Sequence, residues 1–425
     1  MKIALVVSPS LKKTVVTQFP FGMASVVGVL NNIKVETSVF DCRSSEHLEE
    51  LTQAVKEYDL VILSTAEYDK IQCYSLDLEP SKHIIDKLRA ISSTPIAILG
   101  PHGTVNPTAT NEYLKPNYIL QGWYETSVLA LMNVLNSKKV KLPKIINGNF
   151  SNLSRVINNC FPVYDICKDV DYYTEIPSKD GIKFVSASTI LTSYYCSNSC
   201  IFCYKFMGMK GYLRSIEHVV IDIQKVFRQY KHIYFADPVF CATQNRMQQL
   251  CEALISLGRP ITYTAQLSPD RSYLNEDNLQ ILADSGCMGL FIGAETLQTQ
   301  LLQTYGKNVS LEYLEKMVDF AGKLEIGILL FWIIGFENES VKSLEELLEY
   351  LEYMDTPFFI SELIPRPGTI LFNRLYDGEN FSWPEIAFSY ENKQYLGISG
   401  LKREDCEWFW NEIKRNNKCL NFIHP

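Results

Sequence analysis

The sequence contains no apolar run approaching the ~18 residues that a bilayer-spanning helix needs, and no stripe of positive charge. Lys and Arg total 40 against 48 Asp and Glu, a formal net charge of -8. That balance argues against a nucleic-acid partner, because phosphate contacts require clustered cations. No secretory leader is legible either. Met1-Lys2-Ile3-Ala4-Leu5-Val6-Val7 is too short for the apolar core of a signal peptide and reads as a buried strand. The expectation is a soluble cytoplasmic protein with neither membrane nor nucleic acid as partner. Without export, the twelve cysteines are not expected to pair as disulfides. Most stand singly in apolar surroundings, as Cys251 and Cys287 do, and read as small buried hydrophobes. A closed zinc site wants pairs of C-x2-C, and no second C-x2-C occurs.

What is present is enough for two or three folded domains: 425 residues, 47% hydrophobic and 21% charged. Apolar runs at Ile3–Val7, Val35–Phe40, Leu60–Ser64, Ile96–Leu99 and Tyr118–Leu120 alternate with helical patterns near Ala24–Leu30, Leu48–Lys56, Ser81–Leu88 and Thr126–Leu135. Such alternation predicts a parallel sheet covered on both faces, a Rossmann-like doubly wound domain over 1–137. Residues 138–180 read as a linker, with Lys138, Lys139, Lys141 and Lys144 and no clear period. A second alternation follows, with strands at Ile182–Leu191, His232–Ala236, Ile261–Gln266, Met288–Gly293, Ile328–Ile334 and Phe358–Leu363. Six β-α repeats over 181–375 predict a partial (β/α)6 barrel of the TIM type, with its chemistry at the carboxyl ends of the strands. The Trp- and Tyr-rich stretch 376–425 is expected to cap it. The fold class is therefore α/β, a doubly wound sheet followed by a partial barrel.

The sharpest local signal is Cys196-Ser197-Asn198-Ser199-Cys200-Ile201-Phe202-Cys203, just after the first barrel strand. Iron-sulfur clusters usually take four thiolates. Three leave one iron open, which is what a catalytic centre needs. This loop resembles the C-x3-C-x-aromatic-C signature of the radical S-adenosylmethionine (SAM) superfamily. The resemblance implies a [4Fe-4S] cluster on Cys196, Cys200 and Cys203, with SAM chelated to the open iron and Phe202 near its adenine. One electron from the cluster would release a 5'-deoxyadenosyl radical, the cofactor carrying the chemistry and the protein its placement. Further stretches resemble the family at the right strand ends: Phe235-Ala236-Asp237-Pro238, Gly293-Ala294-Glu295-Thr296, Ile333-Ile334-Gly335-Phe336 and Ile364-Pro365-Arg366-Pro367-Gly368-Thr369. They imply that Asp237 and Glu295 orient SAM and that Gly335 and Phe336 support adenine.

The amino-terminal segment resembles the B12-binding domain that precedes many radical SAM barrels. The stretches concerned are Pro20-Phe21-Gly22-Met23-Ala24, Ser64-Thr65, Gly100-Pro101-His102-Gly103-Thr104 and Gln121-Gly122-Trp123-Tyr124-Glu125. By that resemblance Ser64, Gly100, His102, Gly103 and Gly122 are candidates to approach a corrin or its nucleotide tail, a supporting role being favoured for His102. Two departures stand out. The D-x-H-x-x-G motif is absent, since Asp41 is followed by Cys42 and Arg43. Trp123 and Tyr124 bring bulk to a turn that the branch usually keeps acidic and glycine-bearing.

The leading expectation is a cobalamin-dependent radical SAM methyltransferase acting on a small molecule or peptide precursor. It would draw electrons from a reducing protein such as flavodoxin or ferredoxin. One rival drops cobalamin, as in dehydratases of aminosugars, with Tyr204, Lys205 or Cys241 as acid or base. The other is a non-catalytic iron-sulfur redox protein. If Trp123 and Tyr124 filled the cleft between the two domains, the cobalamin-free rival would gain.

Overall fold

The computed structural model describes residues 1–9, 17–137, 142–167, 169–205, 212–376, 380–391 and 399–422. Lys138, Lys139 and Lys141 lie outside them. Six strands form the first sheet: β1 (Lys2–Val7), β2 (Glu36–Asp41), β3 (Leu60–Ser64), β4 (Ile96–Leu99), β5 (Tyr118–Gln121) and β6 (Ile145–Asn147). All pair in parallel in the order β2-β1-β3-β4-β5-β6. The near-continuous apolar runs of β1, β3 and β4 are buried along their length, as a sheet covered on both faces demands. The order reverses between β1 and β3. Ligands of doubly wound sheets collect at that switch point, beyond the carboxyl ends of the strands.

The second sheet has seven strands: β7 (Tyr173–Ser178), β8 (Gly181–Ile190), β9 (His232–Phe235), β10 (Thr262–Leu267), β11 (Cys287–Glu295), β12 (Gly327–Ile334) and β13 (Phe358–Glu362). From β8 to β13 they pair in parallel in chain order. This is the open, partial barrel, and its six parallel strands are the six runs expected from the sequence. An antiparallel strand, β7, closes one edge by pairing with β8. Two pieces of the stretch read as linker are thus sheet strands, β6 and β7. β6 is only three residues long, with Ile146 alone buried, and β7 shows no strict alternation of burial; neighbours in space, not local period, make them strands.

The carboxyl-terminal stretch does more than cap one end. The helix Arg403–Ile413 sends Trp410 Nε1 to Glu362 Oε1, 2.9 Å away. Asn421 exchanges hydrogen bonds with both backbone groups of Ile360 at the edge of β13. The helix Trp383–Glu391 reaches the amino-terminal domain, where Trp383 Nε1 donates to Thr110 Oγ1 on the helix Pro107–Leu114 at 2.9 Å. Tyr74 adds a second tie between the sheets, its hydroxyl donating to Pro367 O at 2.7 Å. Among the described residues, no helix is long and apolar enough to cross a membrane.

Candidate active site

A cavity of about 880 Å³ lies between the carboxyl ends of the two sheets. On one side it is bounded by the switch point, with Ser8 after β1, Arg43 after β2, and Thr65 to Glu67 after β3. On the other side stand Cys196, Cys200, Cys203 and side chains from most barrel strands, including Tyr234, Gln266, Phe291, Phe331 and Ser361. The three cysteines therefore meet one space, and the cysteine loop faces the amino-terminal domain across it.

The loop is held by neighbours remote in sequence. Ile201 N–H donates to Tyr305 O at 3.0 Å, and Leu371 N–H donates to Ile201 O at 3.0 Å. Gly306 follows at φ +77, and a Cβ there would stand 2.5 Å from Ser199 O; only glycine lets these backbones approach. Phe202 packs against Phe336 and Tyr305, both ring centroids at 6.2 Å. Two sequence-expected residues, Phe202 and Phe336, are thus brought together around an aromatic residue that sequence reasoning did not single out.

Burial raises all three thiol pKa values, most for Cys203, while Lys307 and Lys205 pull those of Cys196 and Cys200 down. Cys203 Sγ also lies 3.4 Å from Gln72 Oε1 of the opposing domain. Among the described residues no group of three or more His, Cys, Asp or Glu side chains is spaced to hold a single metal ion. Three thiols on the wall of one cavity fit an iron-sulfur cluster by donor type. All twelve cysteines are free thiols.

Glu295 ends β11 beside a register shift. Its φ of +70 is unusual for a residue with a side chain, and the carboxylate forms an ion pair with Lys307 on the cavity wall. Lys307 was not expected; it lies twelve residues on, and only the fold pairs the two. Asp237 is placed otherwise than expected. It is fully buried and accepts hydrogen bonds from Thr192 N at 2.6 Å, Ser193 Oγ at 3.0 Å, Cys241 N at 3.0 Å and the Thr192 hydroxyl. With its oxygens committed to the chain, it ties β9 to the start of the cysteine loop instead of facing the cavity. Gly335, at φ +95, donates its N–H to Glu339, and Phe336 is buried behind Ile333, which does reach the cavity.

The glycine-bearing strand ends of the first sheet also stand behind the cavity wall, not on it. Ser64 donates to Glu67 at 2.7 Å. A Cβ on Gly100 would stand 2.5 Å from Thr65 Oγ1, and one on Gly103, inside the short helix Pro101–Val105, 2.8 Å from Ile119. His102 is buried between Thr65 Oγ1 at 2.9 Å and Ser75 O at 2.8 Å, and burial lowers its pKa to about 3. Gly122, at φ +97, receives a Thr104 Oγ1 contact at 3.2 Å on its N–H. Trp123 and Tyr124 are buried in the interface yet leave the cavity open; neither lines it. Of the acid-base candidates, Lys205 faces the cavity, whereas Tyr204 packs on Tyr74 and Cys241 is enclosed.

Residues 190–351, from the end of β8 through the helix after β12, match the Radical SAM superfamily. The chain carries a Radical SAM superfamily domain over these residues. The chain is 23% identical over 397 residues to an uncharacterized methyltransferase of Pyrococcus horikoshii, covering 88% of this chain and 82% of that protein. It is 25% identical over 237 residues to the bacteriochlorophyllide d C-12(1)-methyltransferase of Chlorobaculum tepidum, covering 53% and 50%. Its fold is shared with the radical SAM methyltransferase TsrM of Kitasatospora setae, a protein solved with cobalamin and a [4Fe-4S] cluster bound. The TM-score is 0.66 at 18% identity, over 87% of this chain and 76% of that one. The family works with a [4Fe-4S] cluster and SAM.

Proposed function

We propose that this radical SAM enzyme methylates a carbon of a small molecule or peptide precursor with the help of a corrinoid. One observation carries the reading: a single cavity is bounded by the switch point of the amino-terminal sheet and by the three-cysteine loop. Methyl transfer requires methyl source, SAM and substrate to converge, and a chain with two separate pockets would not suit it. The methyltransferase relatives and the shared fold with TsrM support the same reading.

When bound, the cluster would supply an electron to SAM for radical chemistry at the substrate carbon, and the corrinoid would supply the methyl group. Cys196, Cys200 and Cys203 would hold the cluster, three thiols whose donor set leaves one iron for SAM. Glu295 and Lys307 present one negative and one positive group at the cavity wall, matched to the ammonium and carboxylate of an amino acid such as SAM's methionyl end. Phe202 would pack by adenine. The aromatic row Tyr234, Phe291, Phe331 and Phe359, with ring centroids 5.8–6.1 Å apart, gives the barrel an apolar wall that excludes water from a radical.

The cobalamin-free dehydratase is less well supported, because, of its three acid-base candidates, Lys205 alone faces the cavity and Tyr204 and Cys241 are turned into the protein. We place the enzyme in the cytoplasm, reduced by a flavodoxin or ferredoxin. Anaerobic reconstitution with and without hydroxocobalamin, followed by a visible spectrum and iron and cobalt analysis, tests the reading. Iron uptake without cobalt uptake would put the dehydratase first.

A further inference from the structure

We infer that, among the described residues, the amino-terminal sheet has no internal slot for the nucleotide tail of a cobalamin, so that a corrinoid bound here is recognised by its ring and not by its tail; the inference rests on the corrinoid reading above. A ring seated at the switch point, against Thr65, Glu67 and Arg43, lies on the open cavity wall. Its tail could run inward, between the helices Phe21–Asn32 and Tyr124–Leu135 at the ends of the strands, or outward through the cavity.

The inward route is filled by the chain itself. Tyr124 is fully buried there, its hydroxyl donating to Ala66 O and its ring 4.4 Å from that of Tyr68. The start of the first helix is pressed onto this side chain, since a Cβ on Gly22 would stand 2.9 Å from the Tyr124 ring and 2.7 Å from Glu67 Oε2. The far flank, beyond β4, is closed in the same manner by His102, whose ring centroid is 4.6 Å from that of Trp383.

The Tyr124 side chain is held by Ala66 O and the Tyr68 ring, and the backbone beside it is pinned as well. Its N–H donates to Tyr68 Oη at 2.9 Å, and Tyr68 in turn donates to Glu125 Oε2 at 2.8 Å. The other Glu125 oxygen accepts from Ser25 Oγ at 2.6 Å and from Tyr194 Oη at 2.7 Å. Tyr194 belongs to the segment that leads into the cysteine loop, so the network joins both domains. Opening the slot would leave a buried carboxylate with fewer donors, and an under-paired buried charge is among the costliest groups in a protein. Trp123 braces the arrangement from behind, 5.0 Å from Tyr194.

The test compares two ligands that share the ring and differ in the tail. Cluster-loaded protein is titrated anaerobically with hydroxocobalamin and with cobinamide, which lacks the nucleotide, and binding is read from the visible spectrum. Dissociation constants within about threefold, or tighter binding of cobinamide, are expected; a tenfold difference would correspond to a real contact with the tail. A preference for hydroxocobalamin of about tenfold or more overturns the inference and leaves the corrinoid reading standing. Binding of neither ligand overturns both.

Discussion

Lys307 closes an ion pair onto Glu295 at the carboxyl end of β11, and both side chains are about 11% exposed at the cavity wall. Each residue therefore constrains what the other can offer a ligand. A carboxylate held in this way accepts further charge-assisted hydrogen bonds worth on the order of 1.5–3 kcal/mol. Glu295→Gln should weaken SAM binding by about tenfold or more, as that energy implies. Lys307→Met should do likewise, and the double variant should lose less than the product of the two, because the residues act as one unit. Anaerobic equilibrium dialysis with cluster-loaded protein measures all three. Unchanged affinity in both single variants would remove the pair from the SAM site.

Cys200 is the middle cysteine of the loop and stands on the cavity wall. Its replacement by Ala removes one of only three protein thiolates, too few remaining to retain four irons. Iron content and SAM cleavage under dithionite should both collapse, while the far-ultraviolet circular dichroism stays close to that of the parent. A variant that still cleaves SAM at the parental rate would disprove the cluster assignment.

Much of this was legible in one dimension, and the boundary is physical. Buried parallel strands carry long apolar runs, so β1, β3, β4 and all six parallel barrel strands announce themselves. The cysteine loop is legible because its ligands are contiguous. Lys307 was not, since an ion pair across a strand end has no sequence spacing of its own. Asp237 was read as a ligand contact because it sits at the right strand end; which way its oxygens turn depends on Thr192 and Ser193, some 45 residues earlier. Glycines 100 and 103 were read as room for a ligand, but a missing side chain also serves close packing of the chain on itself.

Asp237→Ala separates these two kinds of role. The substitution leaves Thr192 N–H and Cys241 N–H buried without their acceptor. Unsatisfied buried donors cost ~1–3 kcal/mol each, so the melting temperature should fall by several degrees or more. SAM affinity of the folded, cluster-loaded fraction should change little. A large loss of SAM affinity at parental stability would instead make Asp237 a direct SAM contact.

Glu67 couples stability to pH. Burial pushes its pKa up to about 7, opposed chiefly by the Ser64 hydroxyl that donates to it. The unfolded value is near 4.5, so the folded protein binds this proton more tightly than the unfolded chain does. The stabilisation is complete below pH 4.5 and is lost as pH rises through 7, with a ceiling of about 3 kcal/mol at 1.4 kcal/mol per unit. Glu67→Gln stays neutral throughout. The difference in melting temperature, variant minus parent, should therefore increase from pH 5 to about pH 7, where ionisation favours only the parent's unfolded chain, and level off above it. Glu339 has its pKa raised to about 7 for the same reason, burial, and remains in both proteins, so its contribution cancels in the difference. A difference that stays flat across that range would show that Glu67 is already ionised, or already solvated, in the folded enzyme.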